Sequence, residues 1–269
     1  MTDIAHREDE WNAGDAYEPY VGRWSRLVAA EFLDWLAIPA DARWLDVGCG
    51  TGALSKTILD RAAPRQVVGI DPSEAFLDFA RGHLSDPRAA FRIGDARALP
   101  VEDESVDVAV AGLVLNFVAD PARALSEMRR AVRPGGAVAV YVWDYAGEMQ
   151  LMRRFWDAAT ALDPAAHELD EGHRFPICKP VPLRALFADA GLGDVQDRRI
   201  DLPTVFRDFD DYWSPFLGGQ GPAPGYCVSL SKTKRQSLQN KLRSELPAEP
   251  DGNIRLMARA FAVRGVRPA

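Results

Sequence analysis

Between residues 43 and 143, short apolar β-branched runs alternate with amphipathic ones, and this alternation narrows the possible folds more than any other feature of the chain. "RWLDV" (43–47), "QVVGID" (66–71), "AAFRIGD" (89–95), "VDVAVAGLVL" (106–115) and "AVAVYVW" (137–143) read as strands. "ALSKTILDRA", "EAFLDFARGHL" and "ARALSEMRRAV" lie between them with helical spacing. Ser73 suits the cap of the second helix, Pro121 opens the third, and "RPGG" breaks it. Strands that are apolar along their whole length need cover on both faces, so the pattern predicts an α/β, doubly wound, parallel sheet. Each crossover is right-handed, and a ligand sits at the carboxyl ends of the strands. That geometry directs attention to Asp46 to Gly52, Asp71, Asp95 and Asn116.

The flanks are organised differently. Residues 21–38 carry apolar side chains at helical spacing and stop before Pro39. Past Tyr145 come a helix, "MQLMRRFWDAATAL", and a loop, "DPAAHELDEGHRFPICKP". A further helix ("VPLRALFADAGL") and strand ("GDVQDRRIDLPTVF") follow, then an aromatic Gly/Pro-rich stretch, a charged helix and a strand at 252–266. The expected organisation is a single domain, 1–269. Within it, 1–38 is a tail and covering helix, 42–143 a cofactor-binding core, and 147–180 and 207–250 lid or substrate insertions.

Composition removes several classes. A formal charge of −7 and a pI near 5.2 argue against a broad phosphate-binding face, so no nucleic-acid partner is expected. Cys49, Cys178 and Cys227 are odd in number and widely separated; neither a disulfide framework nor a metal site is expected. The apolar run from Val108 to Leu115 is too short to span a bilayer. The first twenty residues show no apolar signal segment, and a cytoplasmic location is expected.

"WLDVGCGTGALS" (44–55) holds the chemistry. Gly48-x-Gly50-x-x-Ala53 fits the loose dinucleotide pattern, and glycines there allow a tight turn and close approach of a ligand to the backbone. Asp46 discriminates between ligands. Beside a pyrophosphate its charge is repelled, by up to several kcal/mol in a partly desolvated pocket; beside an ammonium it is attracted. The alternative is an Asp that only caps the turn. Asp71, about 20 residues past the glycines, can accept both hydroxyls of a ribose. Asp95 can accept from an adenine amino group while the Ala96 amide donates to a ring nitrogen.

"LDVGCGTG", "VVGIDPS", "GDARALPVEDESVDVAVAGLVLNFVADP" and "RPGG", in that order, resemble a class I S-adenosylmethionine-dependent methyltransferase of the small-molecule type related to ubiquinone and menaquinone biosynthesis. The resemblance implies a Rossmann-like, mostly parallel seven-stranded sheet in the order 3-2-1-4-5-7-6, the last strand antiparallel and inserted between the fifth and sixth. It implies S-adenosylmethionine as cofactor, S-adenosylhomocysteine as product, and a small-molecule acceptor. Asp46, Gly48 and Gly50, with Cys49 between them, would hold the methionine end. Asp71 would hold the ribose, Pro72 and Ser73 would lie near the adenine, and Asp95 and Ala96 would hold the base. Leu113 to Phe117, Asn116 among them, would line the pocket beneath the cofactor. Tyr20 and Arg23 resemble a segment that folds over the cofactor, where they would cover its carboxylate. Relatives often carry His or Trp at the positions of Asn116 and Phe117, so this loop offers no evident base.

Methyl transfer needs alignment more than proton chemistry. If the acceptor arrives protonated, His167 and His173 are the candidate bases; the alternative is that both are ordinary loop histidines. Phe155, Trp156, Phe175, Phe209, Tyr212, Trp213 and Phe216 either line an acceptor pocket or pack the insertions onto the sheet. A methyltransferase acting on protein or nucleic acid, or a non-catalytic cofactor-binding relative, are the competing readings.

Overall fold

The computed structural model describes residues 22–219 and 221–269. Tyr20 therefore lies outside the described residues, as does most of the expected tail. The helix α1 (Arg23–Leu36) leads into β1 (Arg43–Val47), α2 (Ala53–Arg61), β2 (Gln66–Asp71), α3 (Glu74–His83), β3 (Ala89–Ile93) and β4 (Val106–Gly112). A 3₁₀ turn (Leu115–Phe117), α4 (Pro121–Ala131) and β5 (Val132–Trp143) complete the first half. The second half contains α5 (Gln150–Leu162), a 3₁₀ turn (Pro164–Leu169), α6 (Glu171–Arg174), α7 (Pro180–Asp189) and β6 (Gly193–Phe206). It ends with α8 (Phe209–Trp213), α9 (Pro222–Ser229), α10 (Lys232–Glu245) and β7 (Ile254–Val266).

The seven strands form one sheet in the order β3-β2-β1-β4-β5-β7-β6, with β1 to β5 parallel and β7 antiparallel to both of its neighbours. This is the expected order. Four consecutive residues of β4, Val108 to Ala111, are buried, which is the signature of a strand covered on both faces. Caps follow local chemistry: the hydroxyl of Ser73 accepts from the Phe76 amide and the carboxylate of Asp120 from the Arg123 amide.

Two expectations need correction. "RPGG" is not what ends α4: the helix stops at Ala131 and β5 begins ahead of the motif, at Val132. Val106 pairs with Val132 and Val108 with Ala137, so residues 133–136 bulge out of the ladder instead of preceding it. The stretch 163–180 is not plain loop: the carboxylates of Asp163 and Asp170 accept from the Ala165 and Gly172 amides and start the 3₁₀ turn and α6. Among the described residues, no helix is long and apolar enough to cross a membrane.

Candidate functional site

The turn after β1 is bound to β2 rather than merely adjacent to it. The amides of Gly48 and Cys49 both donate to the Ile70 carbonyl, at 2.7 and 3.1 Å. Gly50 donates its amide to Oδ2 of Asp71 at 2.9 Å, and Ser73 donates its own to Oδ1, also at 2.9 Å. Gly48 has φ +70°, and a Cβ there would come within 2.5 Å of the Val114 side chain, so both conformation and space require glycine. Above the turn opens a cavity of about 710 Å³ whose wall includes Asp46, Asp71 and Asp95, from the ends of β1 and β2 and just past β3.

The three carboxylates sit in different surroundings. Asp46 is 1 % exposed; its Oδ2 accepts from the Ser55 hydroxyl at 2.6 Å, and its Oδ1 has no partner among the described residues. Burial raises its pKa to about 7, the Ser55 hydrogen bond lowers it, and the nearby Asp71 charge adds to the rise. Burial also raises Asp71, against the lowering pull of the Ser73 and Gly50 amides. Asp95 is half-exposed and held below the ordinary range by Arg97, whose guanidinium lies 2.6 Å away and whose amide it also accepts. Any ligand amino group at Asp95 shares that carboxylate with Arg97.

Of the other expected site residues, Gly48, Cys49, Gly50, Pro72, Ser73, Ala96, Leu113 and Phe117 all line the cavity. Leu113 adopts φ +62°, an uncommon conformation for a non-glycine residue, at the cavity wall. Asn116 is buried but not part of the wall, and among the described residues neither polar atom of its carboxamide has a partner. Arg23 does not line the cavity either. Its Nη1 donates to Asp211 at 3.1 Å, and the guanidinium lies 4.6 Å from the ring centres of both Trp24 and Phe206. The insertion after β6 thus engages the group expected over the cofactor carboxylate.

His167 and His173 pair with each other, rings 4.4 Å apart, and line a separate pocket with Arg153, Asp157 and Asp170. Neither is in the wall of the main cavity. The insertion aromatics pack rather than line: Phe155 stacks on Phe216 at 4.4 Å, and Trp156, Tyr212 and Trp213 are buried with them. Phe175 is the exception, meeting the cavity residue Phe117 edge-on at 5.0 Å. Sequence reasoning missed Ser25, Phe76, Arg97 and Tyr141 as wall residues and Ser55 as the partner of Asp46. A lone tyrosine in the Val/Ala run of the fifth strand was the available signal for Tyr141.

A family model described as a methyltransferase domain matches residues 45–140. The chain is 33% identical over 180 residues to a demethylmenaquinone methyltransferase of Roseiflexus castenholzii, covering 62% of this chain and 74% of that one. It is 33% identical over 135 residues to a trans-aconitate 2-methyltransferase of Variovorax paradoxus, covering 50% and 51%. Among solved structures, a Haemonchus contortus phosphoethanolamine N-methyltransferase 2 in complex with S-adenosyl-L-methionine superposes with a TM-score of 0.60. It is 17% identical, and the match covers 95% of this chain and 56% of that one. The chain spans about half the length of the first curated relatives it matches.

Proposed function

The chain belongs to the class I S-adenosylmethionine-dependent methyltransferases, and from that premise we propose that it transfers a methyl group from S-adenosylmethionine to a small-molecule acceptor. The observation that carries the reading is Oδ1 of Asp46, a buried acceptor with no partner among the described residues, on a cavity-lining residue. A buried unpaired carboxylate oxygen is costly, and the ammonium of a methionine moiety supplies both the missing donor and the opposite charge. A pyrophosphate supplies neither. Asp71 fits the same ligand: each of its oxygens accepts one backbone amide and keeps a lone pair for a ribose hydroxyl.

S-adenosylmethionine supplies a methyl group already activated by a positive sulfur. The chain's part is positional. Asp46 holds the amino-acid arm and Asp71 the ribose, while Leu113, Val114 and Phe117 form an apolar wall that keeps water out. Such alignment contributes about 7–11 kcal/mol to lowering a bimolecular barrier. No histidine is among the cavity-lining residues described, in keeping with a reaction driven by alignment. The acceptors named for the two curated relatives and the net negative charge of the chain support a small molecule.

Calorimetry with S-adenosylhomocysteine, S-adenosylmethionine and NADH tests the donor assignment: the first two bind, and binding of NADH alone overturns it. Trans-aconitate and a demethylmenaquinone analogue begin the acceptor panel, read by formation of S-adenosylhomocysteine.

A further inference from the structure

The cavity wall beyond β1 holds a polar side chain that the cofactor reading leaves without a role. Gly112 of β4 and Tyr141 of β5 are direct neighbours across the ladder. A Cβ on Gly112 would stand 2.5 Å from the Tyr141 hydroxyl oxygen, 2.7 Å from Cζ and 2.9 Å from Cε1. The outer end of the phenol therefore lies over the bare backbone of Gly112, in space that any other residue would fill. Phe32 of α1 packs on the ring, centre to centre 4.6 Å. The Leu113 amide donates to the Tyr141 carbonyl at 2.8 Å, in the residue whose φ is +62°. Tyr141, Gly112 and Leu113 all line the cavity, and Tyr141 is 2 % exposed. A ring gripped from both sides holds its hydroxyl in one place.

A sulfonium has three substituents. On the reading above, the ribose arm lies over β2 and the amino-acid arm over β1. The sheet order then leaves the third substituent, the methyl, facing β4 and β5. Among the described residues, the polar wall residues on that side are Tyr141 and, from α1, Ser25.

We propose that the Tyr141 hydroxyl faces the transferring methyl and makes the site favour the charged donor over its neutral product. The proposal rests on the S-adenosylmethionine reading. Methyl hydrogens on a positive sulfur are weak donors, and a desolvated hydroxyl oxygen accepts from them; the product lacks both the charge and the methyl.

Binding of three compounds to wild type and Tyr141→Phe, by calorimetry, tests it without any acceptor. Sinefungin carries an ammonium-bearing carbon where the donor carries its methylated sulfur, so its affinity falls about 10-fold or more when the hydroxyl is removed. S-adenosylmethionine loses about 2- to 5-fold. S-adenosylhomocysteine is unchanged, which also shows that the variant folds. Equal loss for all three compounds, or unchanged sinefungin binding, overturns the assignment. Failure of wild type to bind any of the three overturns the donor reading itself.

Discussion

Asp46→Asn separates two effects of one carboxylate. In the folded chain the pKa of Asp46 is about 7, against an ordinary 3.8. At 1.36 kcal/mol per pH unit, that rise makes the ionised group cost about 4 kcal/mol of stability in the ligand-free chain. Because the folded value is the higher one, the cost is absent below about pH 4, where both states are neutral. It grows from pH 4 to 7, where only the unfolded chain ionises, and is constant above that. At pH 5 it is roughly 2 kcal/mol and at pH 8 roughly 4. Asparagine keeps an oxygen for the Ser55 hydroxyl but carries no charge. The melting temperature of Asp46→Asn minus that of wild type, both ligand-free, therefore increases by about 5 °C between pH 5 and pH 8, using an unfolding entropy of about 2 cal/mol/K per residue. Thermal unfolding by circular dichroism at the two pH values measures this. A difference that is the same at pH 5 and pH 8 refutes the argument that Asp46 is held neutral by burial. The same variant binds S-adenosylhomocysteine more weakly, since the ammonium loses its counter-charge. On the proposed function, the residue that destabilises the empty chain is the one that recognises the ligand.

The wild-type affinity for S-adenosylhomocysteine rises as pH is raised from 6 to 8, because binding an ammonium requires Asp46 to give up its proton; titration calorimetry in two buffers also shows the proton release. Asp71→Asn replaces one amide acceptor with a donor, so it lowers S-adenosylhomocysteine affinity about 10-fold or more and the melting temperature as well. Gly48→Ala forces a Cβ against Val114 at φ +70° and costs about 2–4 kcal/mol in chemical denaturation; adding Val114→Ala recovers the steric part only. His173→Ala leaves S-adenosylhomocysteine affinity unchanged by calorimetry, since His173 lines the other pocket.

The strands were legible because each signals itself locally. "RWLDV", "QVVGID" and "GDVQDRRIDLPTVF" begin and end where β1, β2 and β6 do. The carboxylates were legible as well, since both stand at the carboxyl ends of parallel strands, Asp46 just before the glycine turn and Asp71 as the last residue of β2. What sequence spacing does not carry is partnership over distance. Arg23 meets Asp211, 188 residues away, and nothing near either residue announces the other. Tyr141 required the register between β4 and β5, which sets its hydroxyl over Gly112 rather than over a side chain. The insertion aromatics were ambiguous for the same reason: a cluster of rings reads identically whether it faces a ligand or itself.

The place of β7 affects how the chain folds as it is made. It follows β6 in sequence but lies between β5 and β6, pairing with both. During synthesis β1 to β5 can assemble with the cofactor turn in place, while β6 has no neighbouring strand until residues 254–266 leave the ribosome. Until then the far edge of β5 stands open, a row of unpaired backbone groups able to accept a foreign strand. A nascent chain halted before β7 therefore holds a paired five-stranded parallel half and an unattached second half, and that intermediate is the one most exposed to aggregation.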